Sequence, residues 1–199
     1  MSRSDAERVR WARDAFVATA RLLDPAAPTL CAGWTARDLL GHLLVLRHDP
    51  VAWPGIALPA LAGLTARRMA AATAVGYEAA LDRLASGSVW LPPVFETPTS
   101  RWGHHVGEYI VHTEDLRRAN GLPSVEVSGE TADALWRRAL VAARQLHARA
   151  SGGIAVTRTD TGETAIVLDR SPLVRVSGLP LELLVWAHRG AAHAQVALS

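Results

Sequence analysis

Two side chains that commonly bind metal ions, Glu108 and His112, stand four residues apart in a stretch with helical periodicity. On an α-helix, residues four apart project from the same face, one turn from each other. A carboxylate and an imidazole placed in this way can bind one divalent ion from a single rigid helix. A third ligand must come from elsewhere, and His42 is the candidate because it is the only ligand-type side chain in the middle of a second, largely apolar helix.

The chemistry of such a trio would be that of a metal site. Zinc and similar ions accept imidazole nitrogen and carboxylate oxygen, and catalytic sites usually combine three protein ligands with water. In antiparallel bundles, ligands from the middle of facing helices converge in the core. A second interpretation stays open, because a glutamate four residues before a histidine also occurs by chance or as a pair of surface charges.

The polar groups around this motif also have more than one role open to them. Glu114 and Asp115 either pair with Arg117 and Arg118 or orient a ligand histidine. The single cysteine, Cys31, is typical of a small loop or core residue and becomes relevant to redox chemistry only if it faces the pocket.

Helices must position these residues, and their signals are present in the sequence. Thr35 is predicted to cap the helix that carries His42, with Asp38 as its partner in a shortened capping box. The helix that carries Glu108 is predicted over about residues 100–120. The other predicted helices span about 4–23, 64–85, 128–150 and 180–189.

The pattern changes near residue 151, after a Ser-Gly-Gly sequence. Short apolar runs joined by turn residues predict strands, the first two of them forming a hairpin. The predicted strands span 154–158, 164–168, 173–177 and 194–198. We therefore predict a mainly helical α+β protein, with a helical domain over 1–150 and a small α+β domain over 151–199.

Composition excludes several classes of protein. Hydrophobic residues make up 49% of the chain, which is enough for a buried core. All 21 basic residues are arginines spread among 19 acidic residues, so no basic block indicates nucleic-acid binding. One cysteine excludes an internal disulfide, and the charged N-terminus is not a signal peptide. The most apolar run, 51–64, is interrupted by proline and glycine, so we expect no membrane span and a cytoplasmic location.

Two motifs resemble those of a known family. Residues 30–42, Leu-Cys-Ala-Gly-Trp-Thr-Ala-Arg-Asp-Leu-Leu-Gly-His, resemble the pattern C-x-G-W-x-x-R-D-L-x-x-H of actinobacterial proteins related to mycothiol-dependent maleylpyruvate isomerase. Residues 108–119, Glu-Tyr-Ile-Val-His-Thr-Glu-Asp-Leu-Arg-Arg-Ala, resemble the second pattern, E-(F/Y)-x-V-H-H-E-D-x-R-R-A. The likeness extends over nearly the whole chain and is strongest to an uncharacterised metal-binding branch of the family. Thr113 stands where the relatives have a second histidine.

The resemblance implies that residues 1–150 form a DinB-like four-helix bundle that binds a divalent metal, usually zinc, through His42, Glu108 and His112. It also implies mycothiol as a cofactor, with the metal lowering the pKa of its thiol. A first hypothesis is therefore a metal- and thiol-dependent transferase or isomerase acting on a small electrophilic substrate. The candidates for binding an anionic group of the cofactor or substrate are Arg37, Arg101 and Arg117. A second hypothesis, motivated by Thr113, is a non-catalytic metal- or ligand-binding module on the same scaffold.

Overall fold

The computed structural model describes residues 5–52, 55, 58–86, 103–127 and 129–199. In this part of the chain it contains seven α-helices and a four-stranded sheet, which confirms the mainly helical α+β class. None of the described helices is long and apolar enough to cross a membrane. The helices are α1 (Asp5–Ala20), α2 (Ala36–His48), α3 (Ala62–Ala72), α4 (Tyr77–Ser86), α5 (Gly103–Ala119), α6 (Gly129–Leu146) and α7 (Pro180–Arg189).

The described chain forms two compact units, and their division runs through α5. The helical unit contains the described residues from 5 to 86 together with 108–125. The mixed unit contains 103–107 and the described residues from 126 to 199. The predicted domain boundary at residue 150 remains a prediction, because compactness alone does not define a domain that folds independently.

The helical unit is built around an apolar core. Helix α1 packs against α4, and α2 packs against both α3 and α4. The second half of α5 adds Ile110 and Leu116, both without exposed surface. The largest fully buried side chains of the other helices in this unit are Phe16, Leu39, Leu40, Leu44, Leu81 and Leu84.

The predicted capping box of α2 is confirmed. The Thr35 backbone N–H donates to Asp38 Oδ2 at 2.8 Å, and the Asp38 backbone N–H donates to Thr35 Oγ1 at 3.4 Å. These bonds satisfy backbone donors that a helix N-terminus leaves without partners. They also fix where α2 begins and therefore place His42 about two turns into the helix.

A glycine sets the approach of α3 to α2. A Cβ atom added to Gly41 would lie 2.8 Å from the carbonyl oxygen of Met69, closer than real Cβ atoms approach other atoms. Only a residue without a side chain therefore allows the two helices to come this close. Gly41 directly precedes His42, so this contact also helps to position the histidine.

The prediction of one continuous helix over 64–85 is wrong. The chain forms α3 and α4 there, separated by a turn. Gly76 has a φ of +103°, a backbone conformation outside the helical region. The backbone N–H of Thr73 donates back to Ala70 and Ala71 as α3 ends. The helix starts predicted at residues 4, 100 and 128 lie outside the described residues.

The mixed unit contains a sheet with strand order β2-β1-β3-β4. Strand β1 pairs antiparallel with β2 and parallel with β3, and β4 pairs antiparallel with β3. Helix α6 packs against α7. The strands are β1 (Gly153–Arg158), β2 (Thr164–Leu168), β3 (Leu173–Gly178) and β4 (Ala197–Leu198). The predicted hairpin is confirmed. The last strand is shorter than the predicted 194–198, because only Ala197 and Leu198 pair with β3 and the Gln195 N–H donates to the Glu182 side chain instead.

Candidate metal centre

Three potential ligands from α2 and α5 lie together within the helical unit. Glu108 Oε2 lies 3.7 Å from His42 Nε2 and 3.6 Å from His112 Nε2. The ligand atoms of all three residues lie within 4.8 Å of one another. Both histidines are buried, whereas the Glu108 side chain keeps 18% of its surface exposed. The structure therefore brings together the three residues that the sequence analysis selected, with one side open to solvent.

The other nitrogen of His112 has a separate set of neighbours. His112 Nδ1 lies 2.8 Å from Asp115 Oδ2. Asp115 is buried, with only 1% of its surface exposed. The thiol of Cys31 donates to the same carboxylate oxygen at 3.3 Å, and its sulfur lies 4.0 Å from His112 Nδ1. An ionised carboxylate can only accept hydrogen bonds, so Nδ1 is the donor of the pair. In the neutral imidazole this leaves the lone pair on Nε2, on the side of Glu108.

These contacts change the pKa of His112. Burial alone would lower it, but the hydrogen bonds with Asp115 and Cys31 and the nearby carboxylate of Glu108 together raise the pKa well above its ordinary value. The site therefore attracts a positive charge at this position, either as a proton or as a metal ion.

The two acidic residues on α5, Glu114 and Asp115, make different contacts: one pairs with an arginine and the other contacts a histidine. Glu114 is fully buried and forms an ion pair with Arg118 at 2.7 Å. It also accepts the backbone N–H of Val125 at 2.9 Å. Asp115 instead contacts His112, which is the contact that the orienting alternative requires.

Thr113, the departure from the family pattern, is fully buried. Its hydroxyl donates to the Tyr109 carbonyl one turn earlier at 2.7 Å. Such back-bonding satisfies the hydroxyl within its own helix. A threonine at this position therefore does not prevent the three potential ligands from lying close together.

A cavity of about 390 Å³ borders His42. Its wall includes the ring of Trp34, whose centroid lies 5.3 Å from that of His42, and the side chain of Met69 on α3. This wall was not predicted from the sequence, because it depends on α3 packing against α2. The described lining consists of Gly33, Trp34, Asp38, His42, Gly55, Ala62, Thr65, Ala66 and Met69. A space of this size beside potential metal ligands can accommodate a small molecule.

The three arginines predicted to bind an anionic group are not brought together by any described contact. Arg37 is exposed. Arg117 donates to Thr19 Oγ1 at 2.9 Å and to the Pro123 carbonyl. Arg101 lies outside the described residues. Their role in binding a cofactor or substrate remains a prediction.

Comparison with known proteins yields a structural match. No protein-family model matches the sequence, and no curated protein matches it significantly. Two solved structures, those of the mycothiol-dependent maleylpyruvate isomerase and of a histidine-to-alanine variant of it, align with TM-scores of 0.64. They are 16% and 15% identical to this chain, and each alignment covers 98% of this chain and 91% of the other. At this identity the match establishes the fold alone, and it confirms a maleylpyruvate isomerase-like fold for the protein.

Proposed function

We propose that the protein binds a divalent metal ion, with zinc as the first choice, through His42, Glu108 and His112. It would use the ion together with a small-molecule thiol, mycothiol in the first instance, in a transfer or isomerisation reaction on a small electrophilic substrate. The observation that carries this proposal is the convergence of two imidazole nitrogens on one carboxylate oxygen.

The spacing of these atoms supports a metal rather than hydrogen bonds. Separations of 3.6 and 3.7 Å from Glu108 Oε2 are too long for good hydrogen bonds to His112 and His42. Ligands bound about 2.1 Å from a tetrahedral ion lie about 3.4 Å from each other. Small side-chain movements would therefore bring all three atoms to ligand distance from one ion.

The donor set and its surroundings fit the group. Two histidines and one glutamate form a ligand set found in catalytic zinc sites, which keep a further coordination position open. Glu108 is largely buried beside two imidazoles, and a carboxylate in such surroundings favours a positive charge next to it. A divalent ion would supply such a charge.

The protein's own residues would have distinct tasks. A bound divalent ion would lower the pKa of a thiol and so favour the nucleophilic thiolate. His42 and His112 would hold the ion at a fixed position between α2 and α5. The cavity beside His42 would receive the substrate, with Trp34 and Met69 providing apolar contacts. Mycothiol is chosen because the structural neighbours are named as mycothiol-dependent.

Metal analysis followed by thiol-binding calorimetry tests the proposal. We expect the purified protein to retain one divalent ion per chain and His112→Ala to lose it. The metal-loaded protein should then bind mycothiol, and the chelated protein should not. No metal in the wild-type protein, or full metal retention in His112→Ala, would overturn the metal site. Metal binding without thiol binding would indicate the non-catalytic module instead.

A further inference from the structure

We propose that Asp115 is a positioning residue for His112 and that Cys31 supports it in this role. Asp115 would hold Nδ1 so that Nε2 faces the ion, and the Cys31 thiol would hold the Asp115 carboxylate. This inference rests on the proposed metal site and adds to it two residues that do not bind the ion themselves.

The geometry of the three groups carries the argument. One carboxylate oxygen, Asp115 Oδ2, accepts from His112 Nδ1 at 2.8 Å and from Cys31 Sγ at 3.3 Å. Metal-binding histidines almost always donate their second ring N–H to a carboxylate, a carbonyl or water, which fixes the tautomer and the ring orientation. The contact between His112 and Asp115 has this arrangement, on the ring edge opposite Glu108.

The loop before α2 is built to hold Cys31 against α5. The Leu30 backbone N–H donates to the Asp115 carbonyl at 3.3 Å, which joins the loop to α5 at the residue whose side chain Cys31 contacts. Within the loop, Thr29 Oγ1 accepts the Cys31 backbone N–H at 3.0 Å, and the Trp34 N–H donates to the Cys31 carbonyl at 3.0 Å. The position of the thiol is therefore set by backbone hydrogen bonds on both sides of it.

A competing interpretation uses the same atoms. Cys31, His112 and Asp115 could themselves bind an ion, since their ligand atoms also lie within 4.8 Å of one another. An ion there would require thiolate sulfur as a ligand and would occupy His112 Nδ1. The hydrogen-bonded arrangement leaves Nε2 for the pair with His42, so the two interpretations predict different ligands.

Cobalt(II) substitution distinguishes them, because thiolate ligation produces a charge-transfer band in the near ultraviolet. We expect cobalt in the wild-type protein to show visible d–d bands of nitrogen and oxygen ligation without that band. Asp115→Asn should weaken cobalt and zinc affinity by about 10- to 100-fold and alter the d–d bands. Cys31→Ala should cause a smaller loss, below about 10-fold, and Cys31→Ser should restore affinity because it keeps a donor.

Glu114→Gln is the matched control, since Glu114 is an equally buried carboxylate one residue away that pairs with Arg118. It should lower stability and leave the cobalt spectrum unchanged. Equal metal affinity in Asp115→Asn and Glu114→Gln would overturn the positioning role while leaving the metal site intact. A thiolate band that disappears in Cys31→Ser would overturn it in favour of the competing site. A wild-type protein that binds no cobalt would overturn both proposals.

Discussion

His112 and Glu108, four residues apart on α5, face each other with Nε2 and Oε2 separated by 3.6 Å. The carboxylate has the same relationship to His42, at 3.7 Å, although that histidine comes from a different helix. Glu108 is therefore the residue that the two histidines share, and its removal should affect the site most directly.

Glu108→Gln should remove most of the metal from the protein. The amide keeps the shape of the side chain but loses the charge that balances a divalent ion between two imidazoles. We expect a loss of affinity larger than the about 10- to 100-fold typical of an outer-sphere partner. Competition with a chromophoric chelator measures it. Glu78→Gln, at an exposed glutamate on α4, should keep wild-type affinity, and equal affinity in the two variants would contradict the ligand assignment.

Metal binding should release a proton from His112 near neutral pH. Because the pKa of His112 in the metal-free protein is raised well above 6.5, the imidazole must lose a proton before Nε2 can bind an ion. Apparent affinity should rise by about tenfold per pH unit until that pKa is passed. Calorimetry in buffers of different ionisation enthalpy counts the protons, and a buffer-independent enthalpy at neutral pH would contradict the prediction.

The stability of the metal-free protein should fall as pH rises, over the same pH range in which the apparent metal affinity rises. A pKa raised on folding contributes stability that is complete below the unfolded value of 6.5 and is lost as pH rises through the folded value. Chelated protein should therefore melt at a lower temperature at about pH 9 than at about pH 6 through this group. The difference in melting temperature between the metal-loaded and the chelated protein should instead grow as pH rises, because the ion binds the deprotonated imidazole. In His112→Ala the pH dependence assigned to this group should disappear.

Gly41→Ala should destabilise the protein. The added methyl group would meet the Met69 carbonyl, a backbone atom that cannot rotate away, and overpacking of this kind costs about 1–3 kcal/mol. Gly63→Ala is the control, because Gly63 is also helical and has nothing within 4 Å of the position of an added Cβ. We expect a gain of about 0.5–1 kcal/mol there. Urea denaturation of both variants measures the difference, and equal stabilities would show that the close contact is unimportant.

Ala66→Phe should reduce binding of thiol or substrate and leave metal affinity unchanged. Ala66 lines the cavity beside His42 but is not among the potential ligands, so a phenyl ring there would fill space without changing the ion. We expect KM to rise more than kcat falls. Ala70→Phe, one turn further along α3 and outside the described cavity lining, is the control. A parallel fall in metal content would show that the substitution had distorted the site.

Much of this site could be predicted from local sequence. The start of α2 follows from Thr35 and Asp38, which lie three residues apart, and helical spacing alone places Glu108 beside His112. The choice of His42 depended on general rules for bundles and on the family resemblance, and the structure places it beside the other two.

The rest of the site depends on contacts between distant residues. Asp115 had several possible partners on its own helix, and the contact that distinguishes it comes from Cys31, 84 residues earlier in the sequence. The cavity wall formed by Met69 could not be predicted from the sequence, because it depends on where α3 begins, near residue 62, and on its packing against α2. The alanine-rich composition of that region predicted one long helix and concealed the turn at Gly76.

The contact between Gly41 and Met69 has a consequence for how this protein could acquire a different substrate. The two backbones already lie as close as Gly41 allows, so the space beside His42 cannot be narrowed by moving the helices closer together. Its volume can instead be changed one side chain at a time, at Ala62, Ala66 or Met69, without disturbing the frame that carries the histidine. Selectivity and metal binding could therefore diverge independently in an evolutionary or a designed series.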